Sequence, residues 1–307
     1  MLKTKDKDKI YRFIGILGTL LCLMLFIYRP SFPTPDKLIV FLFFVFMIFH
    51  QAKDMLLRIG PFVALMMVYE SFRSIVPHLN SRVNYSLAPK VDQTLFRRLP
   101  TRTLQDWLWK GHTSWYDIAL YIPYLLFFII PLLFAIIVWK TKAGYYWQVV
   151  ATYLVVFFGS FLTFLLFPAA PPWLAYQNNY IDPIVRISSN VWASLGIKDF
   201  PSLYSHIAAN PVAAVPSLHA ACATLLSIFA FKIYGRRWGA FSVIYPASIY
   251  LGVVYEGEHY VFDVMCGALY GVVGYLAVNF LFSSIKNKKT KKTLAKPKLK
   301  LAHYGQK

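Results

Sequence analysis

Three residues in the last third of the chain, His219, His259 and Asp263, have types and spacing suited to chemistry. His259 and Asp263 are four residues apart, so on a helix they would lie on one face, where the carboxylate could bond one imidazole nitrogen. Such a bond would fix the tautomer and leave the other nitrogen free as a nucleophile. A second histidine, His219, could then act as general acid and base in a double displacement on phosphorus.

The residues before His219 predict an anion site. Pro216 suits the first turn of a helix, which would place Ser217 and His219 in the opening turns. The free backbone N–H groups and the dipole at a helix N-terminus favour an anion such as phosphate. We therefore predict that Pro216 and Ser217 contribute to substrate binding.

The composition indicates a membrane protein. Hydrophobic residues make up 58% of the chain and charged residues 15%, against about one quarter charged in soluble domains. The mean hydropathy is +0.50, so apolar surface must face lipid. We predict an all-α integral membrane protein with about eight transmembrane helices. The apolar runs are 11–28, 38–50, 60–76, 117–139, 145–167, 213–233, 239–255 and 260–283.

The charge distribution predicts the orientation of these spans. The net charge is +19, and the basic residues are concentrated at the ends and in the loops. Orientation in the bilayer and anionic headgroups explain this distribution better than a nucleic-acid partner does, and none is predicted. The short loops 51–59, 140–144 and 234–238 are basic and would lie inside, with both termini cytoplasmic. His219 and His259 would then share the extracytoplasmic face.

Four regions are predicted along the chain. They are a cytoplasmic tail (1–9), an N-terminal membrane region of three spans and an outer loop (10–116), a catalytic membrane core (117–285) and a basic cytoplasmic tail (286–307).

Several residues outside the histidine motifs are also candidates. Glu70 and Arg73 lie three apart in an apolar run, where they would either neutralise each other or contact substrate. Asp92 is expected to cap a short interfacial helix. The spacing of Gly267 and Gly271 predicts close packing of the last span against another helix.

The motifs resemble those of the type 2 phosphatidic acid phosphatase superfamily. The pattern Pro-Ser-Leu-His at 216–219, followed by His259-x-x-x-Asp263, looks like its last two motifs. The Pro-rich segment 167–173 resembles the first motif of the branch containing inositol phosphorylceramide synthase. The sphingomyelin synthases share the His-Tyr-x-x-Asp form, so Tyr260 joins the substrate-binding candidates.

The resemblance implies a six-helix-type phosphatase core toward the C-terminus. It also implies that His259 is the nucleophile, Asp263 its orienting partner and His219 the acid and base, with Ser217 helping to hold phosphate. The chain departs from the phosphatases of the superfamily, because it lacks both a Lys-(x6)-Arg-Pro motif and a Ser-Arg pair before the last histidine. Arg73 is therefore the first candidate for a phosphate-binding cation, and Arg186 and Lys198 are weaker ones.

The function predicted from these features is a membrane lipid phosphotransferase with a phosphohistidine intermediate, similar to inositol phosphorylceramide synthase. It would act on a lipid phosphate or phospholipid at the extracytoplasmic face. The alternatives are a phosphatase acting on phosphatidic acid or polyprenyl pyrophosphate, and a non-catalytic lipid carrier.

A metal site is a further alternative. Its ligands would come from His219, His259, Glu256, Glu258 and Asp263. No His-x-x-x-His or cysteine set supports it, so no metal or organic cofactor is predicted. The sequence does not predict the oligomeric state.

Overall fold

The described part of the chain is almost entirely helical. The structure, a computed structural model, describes residues 4–28, 35–127, 129–195 and 210–294. The N-terminal helices are α1 (Thr4–Tyr28), α2 (Pro35–Ile48), α3 (Ala52–Leu79), α4 (Leu87–Phe96) and α5 (Pro100–Leu108). They are followed by α6 (Trp115–Leu125), α7 (Ile129–Thr141), α8 (Tyr146–Leu166), α9 (Pro172–Gln177) and α10 (Ile187–Ser194). The last three are α11 (Leu218–Ser242), α12 (Ile244–Tyr255) and α13 (Val261–Leu294).

Five of the described helices are long and apolar enough to cross a membrane, namely α1, α3, α8, α11 and α13. Helices α6 and α7 together would make a sixth span, bent by 55° at the break between them. Apolar stretches at 37–48 in α2 and 244–255 in α12 are shorter. The chain is thus an all-α, multi-pass membrane protein. All eight predicted apolar runs lie largely in helices. By length and apolar composition, however, five or six of the described helical segments could span a membrane, so the predicted number of eight is not confirmed.

The two helices that carry the histidine motifs pack most extensively against each other. Helices α11 and α13 both begin at the same end of the bundle, where α12 ends. A Cβ atom built on Gly267 would lie 2.1 Å from the Ser217 carbonyl oxygen, and one on Gly271 would lie 2.8 Å from that of Ala221. The predicted close packing of the glycine stripe is confirmed, and its partner is the first turns of α11.

The loop before α4 and the segment 168–212, which joins α8 to α11, meet at this same end. Asn84 donates its backbone N–H to the carbonyl of Pro168 at 2.8 Å, and Ala170 donates back to Asn84 at 3.0 Å. Ala169 in turn donates to Val212 at 2.9 Å. The loop before α4 and the two ends of the 168–212 segment are therefore tied together around the entrance to α11.

The segments predicted as inner loops meet at the opposite end. Lys140 contacts Gln51 and lies over the Trp139 ring at 3.8 Å, and the Tyr146 hydroxyl donates to the Arg58 carbonyl at 2.8 Å. Basic residues are thus clustered far from the start of α11. Helix α13 continues through Leu294, beyond the predicted start of the tail at 286.

The glycine contact predicts a sensitive position. Gly267→Ala places a methyl group in a steric clash with the backbone of α11, which cannot shift without disturbing the helix. We therefore expect the free energy of unfolding to fall by about 1–3 kcal/mol. The measurement is the thermal transition of the detergent-solubilised protein. Gly159→Ala is the matched control, because the nearest atom to its Cβ would be 4.0 Å away. Equal transitions for the two variants would contradict the packing argument.

Candidate active site

His259 and Asp263 form a buried pair at the start of α13. The Nδ1 atom of His259 lies 3.4 Å from Oδ2 of Asp263, and the two residues are 7% and 0% exposed. The same Oδ2 accepts the backbone N–H of Tyr260 at 2.9 Å. Nε2 is therefore the ring nitrogen of His259 that does not contact Asp263. The His–Asp distance is long, as is common before substrate binds.

Asp92 fixes the N-terminus of the helix that carries this pair. Its two carboxylate oxygens each accept one backbone N–H, from Val261 and from Phe262, both at 2.9 Å. Asp92 is fully buried; burial, opposed by these two hydrogen bonds, raises the pKa of its carboxyl to about 6. Since that value lies below 7, the carboxylate is ionised at neutral pH. The expectation that Asp92 caps a short interfacial helix was wrong, because it caps α13 from about 170 residues away.

His219 faces His259 across the start of the bundle. Their ring centroids are 5.6 Å apart and their planes are inclined by 60°. His219 stacks on Tyr124 with a centroid distance of 4.3 Å, and Phe127 approaches it at 4.4 Å. These two aromatic residues lie at the end of α6 and in the break before α7. The break therefore supplies the walls that hold the His219 ring.

A cavity of about 420 Å³ opens between the two histidines. Its size is within the range of pockets that hold a small molecule or headgroup. Its polar and aromatic lining consists of Glu70, Arg73, Tyr121, Tyr124, Phe127, Phe164, Arg186, Ser188, Ser189, Trp192, His219, Glu258 and His259. The structure thus brings together both histidines and three of the predicted substrate-binding residues.

Each arginine in this cavity is paired with a glutamate. Arg73 contacts Glu70 through Nε at 2.8 Å and through Nη2 at 2.7 Å. Both residues also line the cavity, so the two alternatives considered for this pair, mutual neutralisation and substrate contact, are compatible.

The second pair has a more elaborate environment. Arg186 donates to Glu258 from Nε at 2.7 Å and from Nη2 at 3.3 Å, and Ser188 also contacts Glu258. The Trp173 ring lies 4.1 Å from the guanidinium carbon. Burial lowers the pKa of Arg186, but the adjacent Glu258 outweighs this effect and the net pKa is raised.

The backbone around Arg186 is held by Gln105 and Gly257. The Gln105 side chain donates to the carbonyls of Val185 at 2.7 Å and Tyr255 at 2.9 Å, and accepts from the Val185 N–H at 2.8 Å. Gly257 has a φ of 80°, and a Cβ there would lie 3.0 Å from the Val185 carbonyl oxygen. The close approach fixes Arg186 beside the loop that carries Glu258 and His259.

The remaining predicted residues lie next to the cavity and do not line it. Ser217 is fully buried; its hydroxyl accepts the Ala220 N–H at 3.4 Å, and its own N–H donates to the Asp263 carbonyl at 3.0 Å. Pro216 is buried beside it, and Tyr260 is buried against Ala88. Lys198 lies outside the described residues.

Glu256 is a buried carboxyl that also does not line the cavity. Neither of its side-chain oxygens has a hydrogen-bond partner among the described residues. Burial, followed by the charges of Glu258 and Asp117, raises its pKa well above the usual value. Within the described part of the chain, no group of three or more His, Cys, Asp or Glu side chains is arranged to hold a metal ion.

Sequence reasoning missed three contributors to the site. Tyr124 and Phe127 were hidden in an apolar run, where aromatic residues carry no distinguishing signal. Glu258 was considered only as a metal ligand, although the sequence shows that it directly precedes His259 and that Arg186 is a candidate cation.

Comparisons with known proteins identify the family of the chain. The family model described as the PAP2 superfamily matches residues 90–277, more than half of the chain. A phosphoinositol dihydroceramide synthase from Bacteroides thetaiotaomicron is 33% identical over 187 residues. That alignment covers 57% of this chain and 59% of the relative, so the chain spans less than two thirds of the relative's length. No solved structure shows significant similarity to the chain.

The anchoring of α13 predicts that Asp92 matters for activity although it does not touch the cavity. Asp92→Ala removes the acceptors of two helix N-terminal N–H groups, and we expect a loss of about 0.5–2 kcal/mol in stability. The displacement of His259 should lower turnover of a lipid phosphate more than tenfold at a temperature where the variant is folded. Asp106→Ala is the control, because Asp106 forms only exposed ion pairs with Arg98 and Arg102. Wild-type turnover in Asp92→Ala would refute the anchoring role.

Proposed function

Because the chain belongs to the PAP2 superfamily, we propose that it is a membrane lipid phosphotransferase that acts through a phosphohistidine at His259. The observation that carries this proposal is the pairing of His259 with Asp263, opposite His219, in one cavity. The relative named as a phosphoinositol dihydroceramide synthase supports a phospholipid donor and a lipid alcohol as acceptor.

The first half-reaction transfers the phospho group to the protein. Nε2 of His259 attacks phosphorus while Asp263 holds the opposite nitrogen and stabilises the developing positive charge. A bond forms between nitrogen and phosphorus as the bond to the lipid oxygen breaks. His219 donates a proton to that leaving oxygen, which departs as an alcohol.

The second half-reaction restores the histidine. The hydroxyl of the acceptor attacks phosphorus, and His219, now neutral, takes its proton. The bond between phosphorus and nitrogen breaks, and the product carries the transferred phospho group. The stacked ring of Tyr124 and the tilted ring of Phe127 keep the His219 imidazole oriented between the two steps.

We further propose that the site faces the extracytoplasmic side and that both termini are cytoplasmic. The loops that contact each other at the opposite end of the bundle carry Arg58 and Lys140, and the end of α11 carries Arg236 and Arg237. Short basic loops remain on the cytoplasmic side. The second half-reaction would then take place in the outer leaflet or its luminal equivalent.

The mechanism predicts a trapped intermediate. Purified protein is mixed with phosphatidylinositol labelled with ³²P and quenched within one turnover. Label should be stable to alkali and labile to acid, and should be absent from His259→Ala. We expect His219→Ala to slow turnover by about 10²–10⁴-fold. His112→Ala, at an exposed loop position, is the control.

The products of the same reaction distinguish the alternatives. With a ceramide present, the proposal requires the label in a sphingolipid. Water-soluble phosphate as the sole product would show a phosphatase. Undiminished function in both His219→Ala and His259→Ala would show a non-catalytic carrier and refute the mechanism.

The orientation predicts the labelling of introduced cysteines. In a variant without Cys22, Cys222 and Cys266, Asn179→Cys should react with an impermeant maleimide in intact cells. Arg236→Cys should react only after permeabilisation. The reverse pattern would invert the proposed topology.

A further inference from the structure

The charges of the cavity are balanced, and this balance bears on the class of donor. Two arginines, Arg73 and Arg186, are the cationic side chains lining it in the described part of the chain, and each forms an ion pair with a glutamate that also lines it. A phosphomonoester carries nearly two negative charges at neutral pH. A phosphodiester carries one negative charge and therefore needs fewer positive charges around it. The paired arrangement therefore favours a phosphodiester.

The cavity is also larger than a phosphate group requires. Its volume of about 420 Å³ extends from the two histidines to Ser188, Ser189 and Trp192 on α10. Hydroxyl groups and an aromatic face are suited to a ring that bears hydroxyls.

The hydrogen bonds of Glu258 leave an acceptor facing this space. An ionised carboxylate offers about four lone-pair sites. Arg186 Nε and Ser188 use Oε1, and Arg186 Nη2 uses Oε2 at 3.3 Å. One further donor can therefore bind to Oε2. A carboxylate oxygen is a hydrogen-bond acceptor, so this site suits a hydroxyl donor.

Arg186, which also lines the cavity, has N–H donors that Glu258 does not use. Two of its five N–H groups bond Glu258, and the other three have no protein partner among the described residues. Trp173 on one side and Glu258 on the other hold the guanidinium in place. A fixed carboxylate and a fixed guanidinium side by side can bind neighbouring hydroxyls as acceptor and donor.

The position of Glu258 in the chain indicates which part of the substrate it contacts. It directly precedes His259, so its side chain lies near the group that becomes attached to the histidine. The leaving lipid departs on the opposite side of phosphorus, toward His219. A residue beside His259 therefore contacts the transferred headgroup in both half-reactions.

We propose that Glu258, held by Arg186 and Ser188, is the residue that recognises the hydroxyls of the transferred headgroup and so sets the preference among phosphodiester donors. This proposal rests on the proposed function, because it assigns the headgroup of the same reaction.

Two phosphodiester donors test it, one with a hydroxyl-bearing headgroup and one with a headgroup that has no hydroxyl. Phosphatidylinositol and phosphatidylethanol are both phosphodiesters with one charge, and release of diacylglycerol reports turnover of either whatever the acceptor. We expect the wild-type protein to prefer phosphatidylinositol at least tenfold in kcat/KM. Glu258→Gln should reduce this preference at least tenfold, because an amide is a weaker acceptor and breaks the pairing with Arg186. Phosphatidic acid, a monoester, should be the poorest donor for the wild-type protein.

Glu256→Gln is the matched control. Glu256 is two residues away, lies outside the cavity lining and has a raised pKa, so glutamine mimics its neutral form. The donor preference should be unchanged in this variant. Ser188→Ala provides a milder second variant should Glu258→Gln fail to elute as a single species, and it should shift the preference in the same direction.

Three results would overturn the proposal. The first is an equal kcat/KM of the wild-type protein for the two diesters. The second is an equal loss of kcat/KM on both donors in Glu258→Gln. The third is a higher kcat/KM of the wild-type protein for phosphatidic acid than for either diester. Labelling of His259 by either donor is measured in parallel. Labelling without discrimination would refute the headgroup assignment alone, whereas absence of labelling from both donors would refute the proposed function.

Discussion

The close contact between the first turns of α11 and α13 is the constraint on which the site depends. Gly267 and Gly271 allow α13 to approach the backbone of α11 at Ser217 and Ala221. The Ser217 N–H then donates to the Asp263 carbonyl at 3.0 Å, which joins the two histidine motifs through main-chain atoms. Side chains anchored in this way keep their separation without depending on flexible loops.

Ionised and polar groups around this contact are arranged in two layers. The inner layer is the cavity, where each arginine has a glutamate partner and the charges balance. The outer layer holds the helix ends, through Asp92 at α13 and Gln105 at the loop before α10. Buried polar groups of this kind are costly unless they are satisfied, which accounts for the density of their hydrogen bonds. Positioning and chemistry are therefore assigned to different residues.

Much of this arrangement could be predicted from local patterns. The helical apolar runs and the glycine stripe follow helix periodicity. The pairing of His259 with Asp263 also depends on residues close in sequence, although His259 lies two residues before α13 begins. The partner of Asp92 could not be predicted, because nothing near position 92 indicates a bond to residues 261 and 262. The role of Ser217 stays a prediction. Its motif predicts phosphate binding, and the structure shows that its buried hydroxyl accepts the Ala220 N–H at the start of α11.

Asp92 holds α13 and Gln105 holds the backbone beside Arg186, so residues early in the chain support a site that lies late in it. The predicted boundary at 116 separates these supports, together with Arg73, from both histidines, although the contacts cross it. Recombination between related genes near this point would exchange Asp92, Gln105 and Arg73 while keeping both histidines. Such hybrids would carry new supports for α13 and a new cation in the cavity without any change in the histidine pair.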